Sequence, residues 1–413
     1  MSAIKSFAKK ILRSKLLEKV GLSLINYDML KYVSHYLWIF KLPSIPKLKI
    51  TYREKTKITN EDIHLCERLL KAHKLVSLEK TDTENKTSLL WAGTLKEKYG
   101  KLTAALESEN PETLASTLSS MFREGFVYGL ASGDLVKHST STLGHKIWSL
   151  KYHDNITALA EFLGVVRKES PQQGRTAQAL NEGFDNLAAK IEDNLKVSID
   201  FPDVGAPYGI MANDSLITME HPEHIYVALK IHHATQSYLD EKNYKKAHLV
   251  EIGGGYGGLA FWIQTLGKTP VQSYTIIDLP VINVLQGYFL SKAFHPSNVC
   301  FFGESPKAET LFHVLPTISF ETINHKIDIL INENSMPEMT EQIVEDYIRT
   351  AKDKVTGIFF SYNHEAYAPV SGISQVLVPE IVNRVGGFKC MARNISWVRN
   401  GYVEETYIKT TSH

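Results

Sequence analysis

The sequence predicts an α/β fold: a mostly parallel seven-stranded sheet ending in an antiparallel hairpin, preceded by a mainly helical N-terminal domain. Three observations predict it. From His248 onward, short apolar runs alternate with amphipathic stretches, the pattern of repeated strand and helix. The first of these runs ends in glycines that pass straight into a helix. The last two, Cys390 to Val398 and Val403 to Lys409, are joined by Arg399, Asn400 and Gly401, and Asn-Gly is a strong hairpin signal.

In chain order, residues 2 to 20 set Lys5, Lys9, Lys10, Arg13, Lys15 and Lys19 among Ile4, Phe7, Ile11, Leu12, Leu16 and Val20, which reads as a basic amphipathic helix. Two uses suit it: peripheral contact with an anionic membrane surface, or packing of the apolar stripe on the rest of the protein with lysines in water. Pro43 and Pro46 break the pattern and mark a linker near 43 to 57, so residues 1–57 form the first segment. Helical spacing then dominates, as in Ile63, Cys66, Leu69 and Leu70, and a helical domain is expected over 58–200. The Asn110-Pro111 and Ser170-Pro171 steps read as helix starts, because proline at the first helical position forfeits no hydrogen bond. Residues 201–245 open on PDVGAPYGIMANDS, read as a long loop bordering a site, and continue into a helix begun near Pro222. The sheet domain follows over 246–413. Its expected strands are His248 to Ile252, Ser273 to Asp278, Val299 to Phe302, Ile327 to Asn332 and Gly357 to Tyr362, then the hairpin.

A net charge of +1 over 413 residues leaves no global field to draw the chain onto nucleic acid, and no nucleic-acid partner is expected. Cys66, Cys300 and Cys390 have no ligand or disulfide spacing, which fits a reducing cytoplasm. No secretory leader pattern is present, and Met29 to Leu42 is too short and too polar to span a bilayer. The expected location is cytoplasmic, with any contact at the inner face of the membrane left to the N-terminal helix. Oligomeric state is not legible.

The chemistry-bearing run is VEIGGGYGGLAFWI, from Val250 to Ile263. Gly253, Gly255 and Gly257 let the backbone turn sharply and approach a ligand over a helix start, with Gly254 and Tyr256 between them. Because Gly253, Gly255 and Gly258 also satisfy G-x-G-x-x-G, the glycines alone fit a nicotinamide dinucleotide equally well. Glu251 shifts the balance: a carboxylate there suits a cationic amino-acid end and repels a pyrophosphate. Asp278, followed by Leu279, closes the next strand, where its oxygens can accept from both ribose hydroxyls. Glu304 follows VCFF and is placed to meet an adenine amino group.

The runs EIGGGYGG, IIDLP and INENSMPEM resemble those of the sugar O-methyltransferases of bacterial surface-glycan gene clusters, over roughly residues 200 to 410. A parallel sheet finished by a hairpin is also the topology of S-adenosylmethionine-dependent methyltransferases. The resemblance implies a Rossmann-like class I methyltransferase fold, S-adenosylmethionine as cofactor, and methyl transfer to a sugar hydroxyl in polysaccharide biosynthesis. Phenol O-methyltransferases share the glycines and DLP, but place a catalytic histidine just after the fourth strand, where this chain reads Asn332, Glu333, Asn334, Ser335, Met336 and Pro337.

A sugar hydroxyl needs an in-line position and a proton acceptor. His364 is the first candidate, with Glu333 and Glu338 as further carboxylates at the strand exits. The alternatives are a loop histidine with its own partner and, for Glu338, a helix-dipole carboxylate. Asn332 is assigned to the cofactor, and Tyr208, Asn334 and Asn363 to the acceptor, a small molecule or glycan. Tyr362, Tyr367 and Trp397 are possible stacking surfaces, and Trp262 is read as core. A divalent cation can hold a sugar diol, but the acids are not densely clustered, and the HPEH run at His221 to His224 reads as a helix start; no metal ligand is assigned. Two other functions remain: an NAD(P)-dependent oxidoreductase and a non-catalytic scaffold of a glycan assembly complex.

Overall fold

The computed structural model describes residues 48, 50–79, 88–132, 142–168, 182–366 and 374–410. The basic N-terminal helix, Ser170-Pro171 and Tyr367 lie outside the described residues. Contacts group residues 46–168 and 177–413 into one compact unit, so the helices set apart by sequence as 58–200 pack together with the sheet.

Among the described residues, the main sheet has eight strands. They are β4 (Ala247–Ile252), β5 (Val271–Asp278), β6 (Val299–Phe301), β7 (Phe312–Pro316), β8 (Ile327–Glu333), β9 (Val355–His364), β10 (Phe388–Ile395) and β11 (Tyr402–Lys409). Their spatial order is β10-β11-β9-β8-β4-β5-β7-β6. Every pair from β6 to β9 is parallel; β11 runs antiparallel to β9 and to β10. This is the Rossmann-like, doubly wound arrangement closed by a hairpin that the sequence predicts, with one strand more than expected. The extra strand is FHVLP, where the half-buried His313 interrupts a short apolar run that ends on Pro316. The hairpin turns at Gly401 with φ 85°.

The order reverses at β4, with β5 on one side and β8 on the other, and ligands of such sheets sit outside the carboxyl ends of the strands at that point. The helix α8 (Gly258–Leu266) follows β4, and α9 (Pro280–Ala293) follows β5. On the N-terminal side, α1 (Asn60–Leu78) begins with a capping box between Thr59 and Asp62, and α4 (Pro111–Leu118) starts on Pro111 with Asn110 Oδ1 accepting from the Thr113 amide at 2.7 Å, as predicted. The helices α2 (Leu89–Lys98), α3 (Gly100–Glu107), α5 (Thr142–Phe162) and α6 (Phe184–Leu195) complete that layer. Two readings are corrected. Inside the expected linker, β1 (Ile50–Tyr52) pairs with β2 (Tyr208–Ala212), and β2 pairs with β3 (Ser215–Ile217) across Asn213 at φ 52°. The expected loop at 202 to 222 is thus largely a hairpin, whose Asn-Asp turn was its available signal. The helix α7 (His221–Lys242) then begins where Pro222 placed it.

Candidate active site

Two clusters meet at the carboxyl edge of the sheet. The first is the glycine turn after β4. Gly253 has φ 74°, donates its N–H to the Ile277 carbonyl at 2.9 Å, and leaves no room for a side chain: a Cβ would lie 2.1 Å from Ser335 Oγ. Gly255, at φ 56°, faces open space, with nothing within 4 Å of a Cβ position. Gly254 and Gly257 complete the turn through a 2.9 Å bond from the Gly257 N–H to the Gly254 carbonyl. Asp278 ends the neighbouring strand as predicted. Its Oδ1 accepts from the Leu279 amide at 2.8 Å and its Oδ2 from Gln286 Nε2 at 2.7 Å, and the amides of Gly254 and Gly255 also face it. Burial pushes its carboxyl up to about 7 against these donors. A backbone cradle with one open face beside a buried carboxylate fits a nucleoside ribose.

Four assignments made to the cofactor are corrected. Glu251 is only 1% exposed and lies beneath the turn, with Tyr274 donating to its Oε2 at 2.9 Å. Burial pushes it up to about 8, Tyr274 lowering and Asp278 raising it, so it stays protonated near pH 7. Tyr256 is buried edge-on to Phe122 and Phe289, with centroids at 5.1 and 5.0 Å, and is core. Asn332 is used at both ends: its Nδ2 donates to the Ile252 carbonyl at 2.9 Å and to Ser335 Oγ, and its Oδ1 accepts from Asn363 at 2.9 Å. It stitches β4, β8 and β9 together. Glu304 accepts from Arg68 Nε and Nη2, both at 2.8 Å, and from the Phe301 amide at 2.9 Å. Burial opposes its charge, but these donors outweigh it and hold the carboxyl below its ordinary value. The misplacement follows from the missed strand: β7, not β6, lies beside β5. At its exit stands Thr317, a buried residue whose Oγ1 has no partner among the described residues.

The second cluster lies at the exits of β8 and β9. Since Ile252 pairs with Asn332, the next residues, Gly253 and Glu333, stand level across the switch point. Glu333 is buried, and its Oε1 has no partner among the described residues. Burial, then the charges of Glu223 and Glu251, push its carboxyl well above the ordinary range, while Arg399 pulls the other way. Asn334, at φ 59°, donates to Glu223 Oε1 at 3.1 Å; Asn363 donates to Asn332 and to Ser361 Oγ; the Oδ1 of each is buried without a partner among the described residues. His364 is half-buried, its ring edge-on to Tyr402, and its Nδ1 accepts weakly from the Ala366 amide at 3.4 Å. Burial, then Arg399, lower its pKa, so the ring is neutral near pH 7 with its proton on the other nitrogen. Glu338 accepts from Trp91 Nε1 at 3.0 Å, and burial raises it. Tyr208 is edge-on to Tyr52 at 5.8 Å and lines a small pocket with Phe201, Glu220 and Tyr256 of the glycine turn. Glu365 is taken by Arg393 at 2.6 Å. Tyr362 is fully buried, stacked on Tyr402 at 5.5 Å, and Trp262 is core as expected. His221 is core too, stacked on Phe201 at 5.0 Å.

Sequence reasoning missed the ion pair over this cluster. Arg399, in the hairpin turn, donates to both oxygens of Glu223 at 2.9 and 3.0 Å and lies 3.9 Å above the Tyr402 ring. Nothing local announces a pair 176 residues apart.

No protein-family model and no curated protein matches the chain. Among solved structures, it is similar to magnesium protoporphyrin IX methyltransferase from Synechocystis PCC 6803 with bound SAM, at a TM-score of 0.32 and 10% identity over 46% of this chain and 81% of that one. It is also similar to mitomycin 7-O-methyltransferase, at 0.32 and 13% over 67% and 100%. A third is the 1,6-didemethyltoxoflavin-N1-methyltransferase of Burkholderia thailandensis, at 0.31 and 15% over 46% and 79%. The strand order, and not these likenesses, carries the fold assignment.

Proposed function

We propose that the protein is an S-adenosylmethionine-dependent O-methyltransferase that acts on a sugar hydroxyl, in the synthesis of a bacterial surface polysaccharide. The observation that carries the cofactor reading is the Gly253 to Gly257 turn, open at Gly255 and set beside Asp278. When bound, the cofactor supplies an electrophilic methyl group on a sulfonium. Asp278 accepts the ribose hydroxyls once Gln286 gives way. Glu251 and Glu333, both held neutral by burial, ionise in answer to the positive charge and favour it over a pyrophosphate.

The sugar reading is supported by the unpartnered oxygens of Glu333, Asn334 and Asn363. All three are acceptors, and a polyhydroxylated ring brings several O–H donors at once. Glu333 is favoured over His364 as proton acceptor. The basic nitrogen of His364 already faces the Ala366 amide, whereas Glu333 becomes a free carboxylate when the cation arrives. Glu338, bound to Trp91, keeps a supporting place.

Two measurements test this. Equilibrium titration should show saturable binding of S-adenosylmethionine and none of NADH; the reverse result replaces the reading with the oxidoreductase. Mass spectrometry of the surface glycan from cells with and without the gene should then show loss of one methyl group. An unchanged glycan, together with no transfer to a panel of free and nucleotide-linked sugars, removes the sugar acceptor and leaves a cofactor-binding scaffold.

A further inference from the structure

We propose that His224 holds the acceptor: its Nε2–H donates a hydrogen bond to an oxygen next to the hydroxyl that is methylated, so the site selects a sugar with two neighbouring oxygens. The proposal rests on the sugar reading above and supplies what that reading lacks, a donor beside the acceptor oxygens of Glu333, Asn334 and Asn363.

His224 lies in the first turn of α7, between the two clusters. The residue before it, Glu223, accepts from Asn334 at the exit of β8 and from Arg399 in the hairpin turn. On its other side the ring packs on the start of α8: a Cβ at Gly258 would lie 2.4 Å from its Cε1 and 2.7 Å from its Nδ1. It also stands edge-on to Tyr256, with centroids at 5.8 Å. The φ of Gly258 is not positive, so the backbone does not ask for a glycine there; the missing side chain makes room for His224 and for Tyr256. The HPEH run thus places His221 in the core and His224 at the edge of the site.

The ring edge that meets Gly258 carries Nδ1, which is buried and has no partner among the described residues. The residue is only half-buried, so the opposite edge, with Nε2, is the accessible one. Burial lowers the ring's pKa; Glu223 and Glu220 raise it, Arg399 lowers it, and the balance is downward, so the imidazole is neutral near pH 7 and holds one proton. An orphaned buried N–H is rarer than an orphaned acceptor, which puts that proton on Nε2. Other donors at this edge are already engaged, Arg399 with Glu223 and Trp91 with Glu338. The reacting oxygen needs its lone pair for the sulfonium, so a donor aimed at it would slow the transfer; the Nε2–H instead serves the oxygen beside it and fixes the ring in line.

The test is the methyl content of the surface glycan, by mass spectrometry, in cells carrying the wild-type gene, a variant or neither, with S-adenosylhomocysteine binding and thermal unfolding of each purified full chain. His224→Phe, which keeps a flat ring without its donor, should lower methylation about tenfold or more at matched protein level, with S-adenosylhomocysteine affinity within about twofold of wild type. His224→Gln, whose side-chain amide reaches as far as Nε2, should retain clearly more. Wild-type methylation by His224→Phe, or equal loss in the Phe and Gln variants, would overturn the proposal. If His224→Phe does not fold, His224→Asn takes its place, because its amide ends level with Nδ1 and cannot reach the acceptor. A glycan that is the same in wild-type cells and in cells without the gene would instead remove the sugar reading itself.

Discussion

The β4–β5 and β8–β9 ends of the sheet edge are built from different materials. On the first, the ligand cradle is main chain: the Gly253 amide on the Ile277 carbonyl, the turn from Gly254 to Gly257, and Asp278 capped by the amide next to it. On the second, the arrangement depends on side chains brought from afar, with Glu223 and Trp91 lying 176 and 247 residues from their partners Arg399 and Glu338. A cradle made of backbone tolerates few sequences and is the same for any nucleoside. A pocket made of distant side chains can change its acceptor without changing the cradle, which is how one fold serves many substrates.

The largest expected effect separates the two glycines of the turn. In Gly253→Ala the new Cβ meets Ser335 Oγ at 2.1 Å, and Ser335 is held by the Ile252 carbonyl and by Asn332, so it cannot retreat freely. Thermal unfolding should shift down by several degrees, and nucleoside affinity should fall at least a hundredfold. Gly255→Ala meets no atom, so its stability loss is confined to the cost of a left-handed alanine, about 1 kcal/mol, while affinity still falls because the methyl group enters the ligand's space. Normal binding by Gly255→Ala would mean that the open face belongs to something else.

On the other side, Glu333→Gln keeps a neutral, hydrogen-bonding side chain where burial already holds the acid neutral, so the fold should persist. Turnover should drop at least a hundredfold with cofactor affinity changed far less, the signature of a lost proton acceptor. His364→Asn should cost only a few-fold. The opposite ranking would return the base to His364.

The same contrast explains what could be read in advance. The β4 turn, Asp278, the α8 start and the Asn400-Gly401 hairpin are local: each is a few residues whose backbone preferences leave one outcome. Lost were β7, too short and too polar at His313 to register as a strand, and with it the neighbour of β5. That one omission moved the adenine assignment to Glu304. Tyr256 and Asn332 were assigned from their places in motifs, but burial decided their roles: an aromatic cluster took the first, and three strands took both ends of the second. The Arg399–Glu223 pair left no trace, because its spacing is a property of the folded chain alone.

Next in size is the response to pH. Glu251 near 8 and Asp278 near 7 lie above their ordinary 4.5 and 3.8, so between about pH 4 and 8 the folded protein holds protons that the unfolded chain has released. Their contribution to stability is therefore full below about pH 4 and is lost as pH rises toward 8. The stability difference between wild type and Glu251→Gln should narrow or change sign in favour of the variant across that window, measured by denaturant unfolding at successive pH values. A cationic ligand reverses the preference, because it favours the ionised acids. Affinity for S-adenosylmethionine should rise several-fold from pH 6 to 8, with protons released on binding, seen calorimetrically in buffers of different ionisation enthalpy. A flat profile would show that neither acid answers the ligand's charge.

The smallest effect is the most selective. Glu304→Gln removes one charge from the Arg68 pair, but Arg68 keeps the Pro296 and Val299 carbonyls and its place 4.5 Å above the Phe301 ring. Both partners are partly exposed, at 32% and 27% of the side chain, so water screens what is lost, and the unfolding free energy should fall by only about 1 kcal/mol. Nucleoside affinity should stay within about twofold of wild type, because Arg68 and the Phe301 amide already occupy both carboxylate oxygens. A tenfold loss of affinity at unchanged stability would instead put Glu304 on the base. It would also make the exit of β6, and not that of β7, the edge of the nucleoside site.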